Sequence, residues 1–171
     1  SAHNFHTSSV ACLGLIGLAL EGRANAAPTW QATAEQEFRQ FFVNFAYNPG
    51  GDYTEGYVYQ QYGLPAAVLY LDALKRVKQV DLVQASNLAS LWHFYLSAYG
   101  SDGKFPRYGD NSETPFLLGT DLFLLKNAKQ AERRPQYTWL WQKLRGGNAA
   151  QTAAGNSYLY LWRDFDHLGM V

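Results

Sequence analysis

The stretch from Gly51 to Leu64 contains residue types that can do chemistry on a sugar. Its fourteen residues hold two carboxylates and four tyrosines, and they lead directly into an amphipathic helix. Glycines within it permit sharp backbone turns. A tyrosine ring offers a flat apolar face with a polar handle, and its hydroxyl can act as a general acid or base once its proton is loosened. This combination predicts a functional site in a turn.

The two carboxylates of this turn, Asp52 and Glu55, allow two interpretations. Glycoside hydrolysis needs an acid together with a base or nucleophile, and such a pair could supply both. Alternatively, the carboxylates cap the helix that follows, with backbone amides as partners. We favour capping, which leaves the chemistry to the tyrosines.

A second group of candidates lies at the start of the chain, where His3 and His6 are spaced to share one face of a helix. A metal pair would need a third ligand, and the remaining histidines are His93 and His167. There is no HExxH motif, which argues against a zinc site. We expect no metal and no cofactor.

The third group is the loop from Asp102 to Asp110. Lys104 and Arg107 are the cations nearest to a candidate cleft, and Tyr108 lies between Arg107 and Asp110. The loop therefore adds Arg107, Tyr108 and Asp110 to the residues expected to bind a substrate.

Composition limits the classes of partner. The net charge is zero, so bulk electrostatics give no reason to expect nucleic acid or an anionic membrane surface as a partner. The apolar run from Val10 to Leu20 has 11 residues, too few to span a bilayer. The single cysteine, Cys12, is expected to be a small buried hydrophobe. A length of 171 residues suits one domain.

The spacing of apolar residues predicts six successive helices, and hence an all-α fold. The first, from about Thr7 to Leu20, is apolar almost all round, as expected of a buried helix. The second opens at a capping box formed by Thr33 and Gln36. The third directly follows the turn of the Gly51–Leu64 stretch, which we call the tyrosine turn.

The last three predicted helices are marked by their caps. Asp81 opens the fourth, and Thr114 with Pro115 opens the fifth, which ends at about Asn127. The sixth runs from Pro135 to Leu144 and is closed by glycines 146 and 147. Helices linked in this way form hairpins, and several hairpins can stack into a solenoid or toroid.

Taken in order, three segments resemble the heparinase II/III-like polysaccharide lyases. They are the His3–His6 cluster before the apolar helix, the Asp-Tyr-Thr-Glu-Gly turn at 52–56 with the tyrosines after it, and the 102–110 loop. The tail from Phe165 to Val171 is similar to the start of that family's β-sandwich domain. The resemblance implies that residues 1–162 form the C-terminal part of an (α/α) toroid and that residues 163–171 begin a β-sandwich. The Ser1 start agrees with a fragment of a longer protein.

The resemblance also implies lytic cleavage of an acidic, uronate-containing polysaccharide by a periplasmic or secreted enzyme. His3, Asn4 or His6 would neutralise the uronate carboxylate. Tyr59 or Tyr57 would be the base, and the EGxxY pattern that begins at Glu55 favours Tyr59. A further histidine would come from outside this chain. The expected substrate-binding residues are Tyr53, Glu55, Tyr62, Arg107, Tyr108 and Asp110.

Two other functions stay open. An (α/α)-barrel glycoside hydrolase would use Glu55 or Asp52 with Asp110 as its acid and base. A non-catalytic helical domain would use the same aromatic residues only to bind carbohydrate.

Overall fold

The computed structural model describes residues 3–106 and 120–154, and most of these residues are helical. The elements, in chain order, are α1 (Asn4–Ala19), α2 (Ala27–Glu37), which continues as a π-helical segment (Phe38–Ala46), α3 (Tyr57–Lys78), α4 (Leu82–Ala85), a 3₁₀ turn (Asn87–Ser90), α5 (Leu91–Ala98), α6 (Thr120–Lys126), a second 3₁₀ turn (Ala131–Arg133) and α7 (Arg134–Ala154). Within these ranges the β-type pairing is a single isolated antiparallel bridge between Tyr47 and Tyr53. The expected all-α class is therefore confirmed.

Helix α1 forms an antiparallel hairpin with α2 and its π-helical extension. Gly17, near the end of α1, lies against Gln31, while His6, near the start of α1, meets Glu37 at the end of α2. Small residues permit this close approach, because a Cβ added at Gly17 would come within 2.9 Å of the Gln31 side chain.

Helices α1 and α3 run in the same direction. Asn4 lies against Gly63, and Gly14, ten residues later, lies against the ring of Tyr70. A Cβ added at Gly14 would fall 2.3 Å from Tyr70 Cε2, so only glycine fits at this crossing without a shift of the ring. The parallel arrangement places the first turn of α1 beside the second turn of α3.

Many of the aromatic residues are in the core. Phe38 packs against the tilted ring of Phe42 and edge-on against Tyr70, with ring centroids 4.9 Å apart in both pairs. Trp92 and Tyr95 are fully buried on α5. These aromatic residues of the described ranges therefore serve packing.

Three of the predicted helix boundaries are wrong. Helix α2 begins at Ala27 and not at the Thr33 box, because Pro28 starts it at a position where the missing N–H costs nothing. The predicted fourth helix opens at Asp81, as expected, but is interrupted at Ser86, whose hydroxyl accepts the Leu88 N–H. Helix α7 continues past residues 146 and 147, since a helical glycine costs only about 1 kcal/mol.

Other predictions fall beyond the described ranges. The Thr114–Pro115 start of the fifth predicted helix lies there, as do residues 163–171 and with them the expected start of a β-sandwich. The end of that fifth helix, at Lys126, agrees with the sequence. Of the helices in residues 3–106 and 120–154, none has both the length and the apolar character that a membrane crossing requires.

Candidate functional site

The tyrosine turn is a closed loop between the π-helical segment and α3. Asn48 N–H donates to the Asp52 carbonyl at 2.9 Å, and Thr54 N–H donates to the Ala46 carbonyl at 3.0 Å. The Asn48 amide also donates to Asp52 Oδ2 at 2.6 Å. Gly51 has φ +99°, which glycine adopts at little cost. The loop thereby turns its second carboxylate, Glu55, towards the start of α1.

Glu55 joins the two segments that the sequence analysis singled out. The backbone N–H of Asn4 donates to Glu55 Oε2 at 2.8 Å, across 51 positions of sequence. The first N–H groups of a helix have no partner within the helix, and the N-terminal end of its dipole favours negative charge. Glu55 therefore caps α1. The expected capping of α3 is wrong, because α3 begins after Gly56 with no side-chain cap.

Tyr53 is buried beneath this contact. Its side chain is 2% exposed and packs against Tyr47 with ring centroids 5.2 Å apart. Its hydroxyl donates to Glu55 Oε2 at 3.3 Å. Burial, and then the negative charge of Glu55, raises the pKa of the Tyr53 phenol well above its ordinary value. Tyr53 thus stays protonated and its ring packs in the core, where it orders the turn.

The other three tyrosines of the turn belong to α3. Tyr57 is the first residue of that helix, and its side chain lies outside the described part. Tyr59 is half-buried and packs partly against the core. Tyr62 is 68% exposed, and its carbonyl accepts the Ser8 hydroxyl at 3.3 Å. The second turn of α3 is therefore bound to α1 through the Tyr62 backbone, while the Tyr62 side chain is largely exposed to solvent.

The residues of the His3–His6 cluster have three different environments. His3 is exposed, and its ring lies edge-on to Phe5 with centroids 6.4 Å apart. Asn4 is buried, at 6% exposure. His6 is half-buried, with its Nε2 3.0 Å from Glu37 Oε2. Of the three, His3 is the one placed to meet a ligand at the surface.

The second loop is described as far as Pro106. Phe105 is buried and lies edge-on to Tyr95 at 5.7 Å between centroids, which anchors the loop on α5. Lys104 N–H donates to Asp102 Oδ1 at 3.1 Å. The expected substrate-binding residues Arg107, Tyr108 and Asp110 lie outside the described residues.

Sequence reasoning missed Gln60, which connects α3 to α5. Gln60 is 1% exposed, and its side-chain amide donates to the Tyr95 hydroxyl at 3.1 Å. The signal was available, because Gln60 lies on the same helical face as the buried Leu64 and Ala67. The residue next to the candidate base Tyr59 is thus fixed in the core.

The described ranges contain no group of three histidine, cysteine or acidic side chains that could hold a metal ion. An open groove of about 560 Å³ lies on the outer side of α2 and its extension, and it contains no tyrosine or histidine. Its lining is Ala32, Glu35, Gln36, Arg39, Gln40 and Asn44. We therefore keep the candidate site at the start of α1 and the first two turns of α3.

Comparison of this chain with protein-family models, with curated proteins and with solved structures finds no match. Any functional assignment therefore depends on the motifs and on the geometry just described.

Proposed function

We propose that the protein is a polysaccharide lyase that cleaves a uronate-containing polysaccharide by β-elimination. The observation that carries the proposal is the hydrogen bond from Asn4 N–H to Glu55. It brings the histidine–asparagine cluster beside the tyrosine turn, two segments far apart in sequence that the lyase motifs require to act together.

In this reaction the proton on C5 of the uronate is hard to remove, because the developing carbanion adds charge beside a carboxylate. Preorganised hydrogen-bond donors at the carboxylate relieve that cost. His3, exposed at the start of α1, is our first candidate for this neutralising role. Asn4 and His6 are less accessible, since Asn4 is buried and His6 is engaged with Glu37.

We assign the base to Tyr59, with Tyr57 as the second candidate. Free tyrosine has a pKa of about 10, and a nearby positive group brings the phenolate closer to the working range. The phenolate takes the C5 proton, the released electron pair forms the C4–C5 double bond, and the C4–O bond breaks. The phenol then returns a proton to the leaving oxygen. Tyr62 would stack on a neighbouring sugar.

We further propose that these helices belong to an (α/α) toroid. The support is the α1–α2 hairpin together with the parallel neighbours α1 and α3, an arrangement expected when hairpins stack side by side. Residues 163–171 would begin a β-sandwich, and the whole enzyme would act in the periplasm or outside the cell.

The test is to incubate the intact protein with uronate polymers and to follow both reducing ends and ultraviolet absorbance. A lyase creates an unsaturated uronate with new absorbance, whereas a glycoside hydrolase releases reducing ends without it. Binding without turnover would support the non-catalytic alternative. Any result other than new absorbance refutes the lyase.

A matched pair of substitutions tests the base. Replacing Tyr59 by Phe should reduce kcat about 10²–10⁴-fold, the usual contribution of general acid–base catalysis, while polysaccharide binding persists. Replacing Tyr70 by Phe is the control. Tyr70 is buried in the same helix and its hydroxyl has no hydrogen-bond partner within the described ranges, so turnover should be unchanged.

A further inference from the structure

We infer that Glu55 is a positioning residue, which fixes the start of α1 against the start of α3 and controls turnover without touching the substrate. The inference rests on the proposed function. It assigns Glu55 a different role from the direct contact with substrate that the family resemblance implied.

One carboxylate oxygen of Glu55 accepts two hydrogen bonds from different parts of the chain. Glu55 Oε2 accepts the N–H of Asn4, the first residue of α1, and the hydroxyl of Tyr53, which pairs with Tyr47 in the β-bridge. Hydrogen bonds to an ionised acceptor are roughly twice as strong as neutral ones. Tyr53 is itself held by Tyr47 and by a hydrogen bond with the buried Thr7.

The link from Glu55 to the candidate base is short and stiff. The next residue, Gly56, has φ +87° and ψ 179°, a region that is essentially restricted to glycine. Its carbonyl accepts the Gln60 N–H at 3.1 Å, so the first turn of α3 follows immediately. The path from Glu55 to Tyr59 therefore leaves the backbone little freedom.

A second contact completes the register between the two helices. Gly63 lies against Asn4, and a Cβ added there would be 3.2 Å from Asn4 Cα. The start of α1 is thus held at Glu55 and again two turns further along α3. Loss of the Glu55 contact would remove the hydrogen bond at the first residue of α1 and allow the adjacent His3 to move relative to Tyr59. A misplacement of about 1 Å can cost about 10²-fold in rate.

The experiment compares Glu55→Gln with Glu35→Gln in the intact protein. Glu35 undergoes the same chemical change, but it pairs with Arg39 on the outer side of α2. We expect Glu55→Gln to lower kcat by roughly 10–100-fold with little change in KM, because a misplaced reacting group weakens stabilisation of the transition state more than binding of the substrate. Glu35→Gln should behave as the wild type.

A spectroscopic measurement separates positioning from general loss of structure. The backbone amide proton of Asn4 donates to a carboxylate, so its NMR resonance should move upfield in Glu55→Gln and stay in place in Glu35→Gln. Tyr53→Phe removes the second donor to Glu55 and the hydrogen bond with Thr7, but it leaves the Asn4 contact in place and should therefore give a smaller loss of kcat. Melting curves of all variants establish that each is folded.

Two results would overturn the inference. One is a wild-type kcat in Glu55→Gln, and the other is a raised KM at unchanged kcat, which would mean direct contact with the substrate. If the wild type turns over no uronate polymer, the proposed function fails instead. In that case the Asn4 resonance still decides whether Glu55 fixes the start of α1.

Discussion

Replacement of Gly51 by alanine tests whether the tyrosine turn is docked as the structure describes it. Gly51 is buried with φ +99°. A Cβ added there would lie 2.3 Å from the Ser90 carbonyl oxygen and 2.8 Å from the Leu91 nitrogen. These are backbone atoms at the start of α5, so no side chain can rotate away to make room.

The expected destabilisation has two parts. A left-handed conformation costs an alanine about 1–2 kcal/mol, and forcing an extra carbon into a packed site costs about 1–3 kcal/mol. Gly22 isolates the first part, because it has φ +72° with no atom within 4 Å of an added Cβ. We therefore expect Gly51→Ala to lower the free energy of unfolding by about 1–3 kcal/mol more than Gly22→Ala.

Urea unfolding followed by circular dichroism measures both variants. For a domain of this size, each kcal/mol corresponds to about 2–4 °C in Tm, so thermal melts provide a second reading of the difference. Equal destabilisation of the two variants would refute the close approach of the turn to Ser90. It would also remove the reason to regard the turn as rigid.

Three further predictions concern the helices around the site. Gly14→Ala should lower the free energy of unfolding by about 1–3 kcal/mol in urea melts, because the new methyl group meets the Tyr70 ring; a stabilised variant would contradict the α1–α3 crossing. Cys12 is exposed, so one thiol per native chain should react rapidly with a disulfide reagent, and protection until unfolding would contradict its placement. The pKa values of the Tyr53 and Tyr70 phenols are raised by burial. The contribution of these neutral phenols to the stability of the folded state is therefore complete below the unfolded pKa of about 10 and is lost as the pH rises further. Urea midpoints that stay constant above pH 10 would refute this.

The helical fold could be predicted because most of its helices bury a stripe of apolar residues at regular helical spacing. In α3, the residues Leu64, Ala67, Val68, Leu71 and Leu74 are all buried, at the spacing that the sequence shows. Helix α1 is apolar on every side, so the pattern does not say which side faces the core. Burial of Cys12 was expected on that ground, yet Cys12 and half of Ile16 are exposed.

The four tyrosines of the turn illustrate what a pattern leaves out. Tyr53 and Tyr62 look equivalent in sequence, but the first is 2% exposed and the second 68%. The difference arises from the bridge between Tyr47 and Tyr53, which places the Tyr53 ring against Tyr47 in the aromatic core. Pairing of this kind depends on how the loop closes, and spacing alone does not encode it.

The cap that Glu55 supplies to α1 could not be predicted for a related reason. Capping rules are local, because a helix is normally capped by residues within a few positions of its own first turn. Here the carboxylate comes from 51 positions away, and the next residue, Gly56, is the N-cap of α3. Two consecutive residues of the tyrosine turn therefore cap different helices, Glu55 capping α1 and Gly56 preceding α3. Because the two helices share this joint, a substitution at Glu55 should disturb both halves of the proposed site together.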